Sequence, residues 1–145
     1  MSYYADADDI YETLGRLFVD ALDDERLGPL FARANTVTRW EYENPHATIT
    51  LRLVDGEPAI VEFGDSALPA EVTLAMDADV AHQFWLGELN VGVALARGQI
   101  VATGPVEKIL RLVPLATSVV PRYRRLLVAA GRLEEAEPAA PARAV

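Results

Sequence analysis

Residues 70–113, AEVTLAMDADVAHQFWLGELNVGVALARGQIVATGPVEKILRLV, decide the fold. Val72, Leu74 and Met76 alternate with Glu71 and Thr73, the period of a strand with one buried face. Asp77 follows, and its carboxylate suits the free amide hydrogens of a first helical turn, so the spacing predicts a helix to about Leu86. Gly87 ends it. Asn90 caps a second short helix over 91–97, and Gly98 supplies a terminating residue that tolerates a left-handed backbone. Residues 99–103 read as a strand. Gly104 turns the chain and Pro105 takes a first helical position, after which Val106, Ile109, Leu110 and Val113 fall at i, i+3, i+4 and i+7. The order is strand, helix, helix, strand, helix, with almost no loop between.

Upstream, Asp9-Ile10-Tyr11-Glu12 has capping-box spacing, and Ile10, Leu14, Leu17, Phe18, Ala21 and Leu22 form a helical stripe. Asp20, Asp23, Asp24 and Glu25 crowd the end of that helix. Their spacing lacks the glycine and terminal glutamate of a calcium loop, so they read as a solvated acidic turn. A short helix over 25–34 carries Leu27, Leu30 and Phe31. Trp40 and Tyr42 then share a strand face opposite Arg39, Glu41 and Glu43, and Pro45 turns the chain. Ile49, Leu51 and Leu53 alternate with Thr48, Thr50 and Arg52. Asp55-Gly56 is a hairpin signal leading to Ala59, Val61 and Phe63 inward with Ile60 and Glu62 outward. Residues 64–69 form a loop, and the strand from Ala70 closes a meander. These elements make an α+β domain with a five-stranded, largely antiparallel sheet covered on one face by helices.

At its other end the chain has Pro114 and Pro121 bracketing 115–120, then a basic helix over 122–133 with Leu126, Leu127 and Ala130 on its apolar side. Residues 1–133 are expected to form one domain. Residues 134–145, rich in Ala, Pro and Glu, have nothing to pack and are expected to be disordered.

Composition narrows the function. Half of the 145 residues are apolar, enough for a sizeable core. No stretch is apolar for eighteen residues, and the first residues are acidic where a signal peptide would be basic and then apolar, so a cytoplasmic location is expected. With no cysteine, disulfides, thiolate nucleophiles and cysteine–zinc sites are excluded. A net charge of −9 argues against general nucleic-acid binding. The charge is unevenly spread: residues 97–132 hold seven bases against Glu107 alone. Helical arginines commonly lie along apolar surface with their heads in water. The sharper alternative is that Arg111, Arg122, Arg124 and Arg125 meet an anionic membrane surface.

Catalysis finds no constellation. His46 and His82 are the only histidines, and both read as surface or edge residues. No nucleophile elbow, phosphate loop, dinucleotide fingerprint or histidine-rich metal spacing occurs, so no metal or cofactor is expected. The chain instead concentrates apolar bulk, with Phe84, Trp85, Leu86 and Leu89 falling within six residues. Such residues usually belong to a core.

The strand V-T-L-A-M at 72–76 running into an acid-capped helix, the turn Gly87-Glu88-Leu89-Asn90, and the short helix breaking at Ala96-Arg97-Gly98 together resemble the sterol-carrier-protein family of small lipid-binding domains. The specific likeness spans about 45 residues, with a weaker one over 36–130. In the family the turn is commonly Gly-Lys-Leu-Asn-Pro and the last strand is followed by Gly-Asp; Glu88, Val91 and Pro105 depart from that pattern. The resemblance implies an apolar tunnel between sheet and helices. It would be walled by Trp40, Leu51, Phe63 and Leu74 from the sheet and by Phe84, Trp85 and Leu89 from the helices. Ile109, Leu110, Val113 and Leu115 would cover it.

The expected function is therefore non-catalytic binding or transfer of a sterol, fatty acid or fatty acyl thioester, driven by apolar burial. Two alternatives stand beside it. One is an interaction module or homodimer of the same fold, and the other a small enzyme of the ketosteroid isomerase type. Four uninterrupted strands before Asp77 count against the second.

Overall fold

The computed structural model describes residues 2–132; the tail expected to be disordered lies outside the described residues. The chain enters through α1 (Ala7–Ile10), a π-helical turn (Tyr11–Gly15), α2 (Arg16–Asp23) and α3 (Leu27–Ala32). Four strands follow, β1 (Thr36–Glu43), β2 (Ala47–Leu53), β3 (Ile60–Phe63) and β4 (Val72–Asp77). They lead to α4 (Ala78–Trp85), α5 (Val91–Ala96), β5 (Ile100–Thr103), α6 (Val106–Thr117) and α7 (Val120–Ala129).

The local grammar of 70–113 sets its elements. Asp77 accepts the backbone N–H of Asp79 and Asn90 that of Val93, so each helix has a side-chain N-cap. Pro105 lies one residue earlier than its spacing implies, as the N-cap of α6. The first helix also starts earlier. Asp6 accepts the N–H of Asp9, and Asp9 accepts that of Ala5, so the capping role moves three residues upstream of Asp9.

One five-stranded sheet has the order β3-β2-β1-β4-β5, with β1 and β4 parallel and the other pairs antiparallel. The sheet is largely antiparallel, but not a simple meander: β4 crosses to the far side of β1. Residues 64–71 make that crossing over the outer face of the sheet. Arg39 donates from its guanidinium to Leu68 O at 2.5 Å, and Glu71 N–H reaches Val37 O at 2.8 Å. Beside β1, the strand puts Val72, Leu74 and Met76 in register with Thr38, Trp40 and Tyr42. The apolar faces of all these residues then meet the helices.

The core lies between this inner sheet face and the helices, with α7 packed on α2 and α4. Pro114 does not end α6, which continues through it to Thr117. Proline removes one N–H and crowds the carbonyl four residues back, that of Leu110. Leu110 and Pro114 are both exposed, so water can solvate the freed carbonyl. Among the described residues, no helix is long and apolar enough to cross a membrane.

Candidate functional site

Two small cavities lie between the sheet and the helices. The outer one, about 40 Å³, has Trp40, Leu74, Met76, Ile100 and Ala102 as its sheet wall. Phe84 of α4, Val91 and Leu95 of α5, and Ile109, Leu112, Val113 and Ala116 of α6 close it. The i, i+3, i+4, i+7 spacing on α6 explains which of its residues face in, because these positions share one face of a helix. The inner cavity, about 20 Å³, lies under Trp40 and Trp85. Phe18, Ala21 and Phe31 from the first helices and Leu51 and Leu53 from β2 complete most of its wall.

The walls are apolar. Among the described residues no ionisable side chain lines either cavity, and Thr38 of the inner one supplies the single hydroxyl. Trp40 sits 5.2 Å from Phe18 and 6.0 Å from Trp85, centroid to centroid, and Phe84 meets Trp85 edge-on at 4.6 Å. The indole N–H groups of Trp40 and Trp85 and the hydroxyl of Thr38 are buried without hydrogen-bond partners. Such groups cost on the order of 1–3 kcal/mol each, so this region is less settled than an ordinary core.

Of the residues expected to wall a tunnel, Trp40, Leu74, Phe84, Ile109 and Val113 line the outer cavity, while Trp40, Leu51 and Trp85 line the inner one. Phe63, Leu89, Leu110 and Leu115 line neither. Phe63 faces inward but at the sheet edge. It is 44% exposed and stacked on Tyr11 at 5.0 Å, over Gly15, where a Cβ would come within 2.6 Å of its ring. Leu110 points out from α6 and is 65% exposed. Leu89 and Leu115 pack against the core from its margin. Sequence reasoning missed Met76, Ile100 and Ala102, although Met76 and Ile100 carry the alternation of their strands. It also missed Leu112 and Ala116, whose only signal is the helical spacing from Ile109.

The charged groups resolve into pairs and free heads. Arg122 is held by Asp24, which also accepts the N–H groups of Arg26 and Leu27 at 2.8 Å each. Arg132 pairs with Asp9 at 2.8 Å and lies 4.6 Å over the Tyr3 ring, and Lys108 pairs with Glu71 at 3.1 Å. Among the described residues, Arg97, Arg111, Arg124 and Arg125 have no ion pair. Arg122 therefore drops out of the set expected to meet a membrane as free charge. No group of three or more His, Asp or Glu among the described residues is arranged to hold a metal.

His82 is not a surface residue. Residues 2–5 fold back over α4, where Tyr3 N–H donates to Asp79 at 2.8 Å and the Tyr3 ring stacks on His82 at 3.6 Å. Nδ1 of His82 lies 2.8 Å from the Tyr123 hydroxyl, itself 2.6 Å from that of Tyr4. Burial pushes the imidazole down to about 4, against the pull of Asp79 and with the help of Arg132. The neutral ring, the Tyr123 hydroxyl and the Tyr4 hydroxyl form one hydrogen-bonded chain. This cluster touches neither cavity and ties α4 to α7 and the N-terminal arm.

No protein-family model matches the chain, and no curated protein sequence does. Solved structures do match. The sterol carrier protein domain 2 of Helicoverpa armigera superposes with a TM-score of 0.63 at 15% identity, over 76% of this chain and 89% of that one. Sterol carrier protein 2 of Yarrowia lipolytica in its apo form gives 0.58 at 19%, over 77% and 99%. A UbiJ-SCP2 ubiquinone synthesis protein gives 0.55 at 19%, over 74% and 89%. At these identities what is shared is the architecture: this chain has the fold of the sterol carrier protein 2 domains.

Proposed function

We propose that the protein binds an apolar lipid in the cavity between the sheet and α5–α6, shields it from water and delivers it without making or breaking bonds. The observation that carries this reading is the carbon lining. A space walled by Leu74, Phe84, Ile109 and Val113, with no ionisable group among the described residues that line it, suits a hydrocarbon and offers no acid, base or nucleophile there. The fold shared with sterol carrier proteins supports the same reading. Burial of ligand hydrocarbon would drive binding at about 25 cal/mol per Å² before the losses of association. The volume is small, so α5 and α6 must move outward as a ligand goes in. We read the protein as a cytoplasmic carrier that meets anionic membranes through Arg111, Arg124 and Arg125.

Native mass spectrometry of protein purified without detergent, followed by organic extraction, tests the reading. A stoichiometric lipid is expected. Apo protein that takes up no fatty acid, acyl thioester or sterol when these are added would refute it. Phe84→Asp is expected to abolish uptake with helical circular dichroism retained. A second reading, association through an apolar surface, draws on the outward faces of α5 and α6, where Val93, Val106 and Leu110 are exposed. It predicts a dimer at micromolar concentration in sedimentation, lost in Val106→Asp/Leu110→Asp.

A further inference from the structure

We propose that Trp40 is a movable partition between two compartments of one channel, and that the channel selects a single flexible acyl chain over a rigid ring system. This rests on the lipid-binding reading above and names the ligand class and the residue that discriminates it. Trp40, Leu112 and Ala116 line both cavities, so one layer of side chains separates them. No polar contact latches that layer. The Trp40 N–H has no hydrogen-bond partner, and its aromatic neighbours Phe18 and Trp85 touch it only through ring contacts. An indole held this way can turn without giving up a hydrogen bond.

Shape follows from the volumes. About 40 and 20 Å³ are far below the roughly 300 Å³ or more of an ordinary ligand pocket, so anything bound must part the walls. A methylene chain is slim and rotates about every bond, which lets it pass Leu112 and bend around the indole. A fused ring system is wide and stiff and would have to displace the sheet residue itself. Direction follows from charge. Among the described residues neither compartment has an ionisable group, and the Thr38 hydroxyl and two indole N–H groups, all neutral, supply no counter-charge for a buried carboxylate. The methyl end therefore leads into the inner compartment, and the polar end stays at the rim of the outer one beside the exposed Leu95.

The chain has only two tryptophans, and the geometry separates them. Trp40 lines both compartments and Trp85 only the inner one. Trp40→Phe and Trp85→Phe proteins, each with one tryptophan left, are titrated with stearic acid dibrominated either near the carboxyl or near the methyl end. Uptake is followed on the same samples by native mass spectrometry. Bromines near the methyl end are expected to quench Trp85 more strongly than those near the carboxyl, while Trp40 responds to both. Chains bound by mass with Trp85 unquenched by either would overturn the partition and leave lipid binding standing. No uptake of any fatty acid would overturn both.

Ala21→Val, which narrows only the inner compartment, gives an independent reading. It is expected to weaken stearic acid by about tenfold and octanoic acid by less than about twofold. Equal losses for the two, or none, would count against the proposal. A sterol bound more tightly than stearic acid by the parent protein would also overturn it.

Discussion

Gly104 carries a conformational demand that no other residue meets. At φ +129° it lies where side chains are rarely tolerated, and a Cβ there would fall 2.4 Å from the Glu71 carbonyl oxygen and 3.1 Å from Val72 Cα, both backbone. Those atoms belong to the backbone that enters β4 and cannot swing aside. Gly104→Ala is expected to cost about 3 kcal/mol in urea denaturation; a loss below about 1 kcal/mol would contradict the packing of this turn. His82 makes a pH-dependent contribution. Its native form releases its proton near 4, the unfolded one near 6.5, so in that window the unfolded chain binds more protons and stability rises with pH. Stability should fall as pH drops from about 6.5 to about 4 and level off below. The ring is only half buried, so the solvent-discounted loss is about 1–2 kcal/mol. His82→Gln should flatten that part of the pH profile, and an unchanged profile would place the acid sensitivity elsewhere.

Among the elements, α6 has two unlike faces. Ile109, Leu112, Val113 and Ala116 close the outer cavity, while Val106 and Leu110, 68% and 65% exposed, meet water. Pro114 sits inside this helix, where it removes the bond to Leu110 O and loosens the segment that must move for a ligand to pass. Pro114→Ala is expected to raise stability by about 1–3 kcal/mol and to slow lipid uptake in stopped-flow tryptophan fluorescence. Unchanged or faster uptake would mean that α6 does not control access. The N-terminal arm works the other way. Its stack on His82 and its bond to Asp79 clamp α4, which holds Phe84 and Trp85 in the cavity walls.

Over the whole molecule, charge is segregated. The chain carries −9, yet its bases concentrate in α6 and α7. Arg122 and Arg132 close ion pairs with Asp24 and Asp9 that bind α7 to the first helices; among the described residues Arg111, Arg124 and Arg125 have no ion pair. Each could contribute on the order of 1 kcal/mol near an anionic surface, and salt would screen it. Arg111→Gln/Arg124→Gln/Arg125→Gln is expected to slow lipid exchange with anionic vesicles by about tenfold and to leave exchange with neutral vesicles unchanged. Equal rates on both vesicle types in the parent protein would remove any role for these bases.

The elements of this fold were legible in the chain because local rules govern them. Asp77 and Asn90 cap their helices by bonds that span two and three residues, Gly87 and Gly98 terminate by their own φ, and alternation assigns the inner faces of β1, β2 and β4. Most of the sheet's contribution to the cavity could be read in the same way, as with Trp40 and Leu74. What the chain could not disclose was decided by contacts between distant residues. The passage of β4 across the sheet depends on Arg39 meeting Leu68, and the burial of His82 on Tyr3 folding back 79 positions away in the chain. Periodicity placed Phe63 on the inner face, but it could not show that β3 lies at the edge, beyond the reach of the cavity. Side-chain direction is a property of local backbone geometry; which neighbour a side chain meets is a property of the assembled whole.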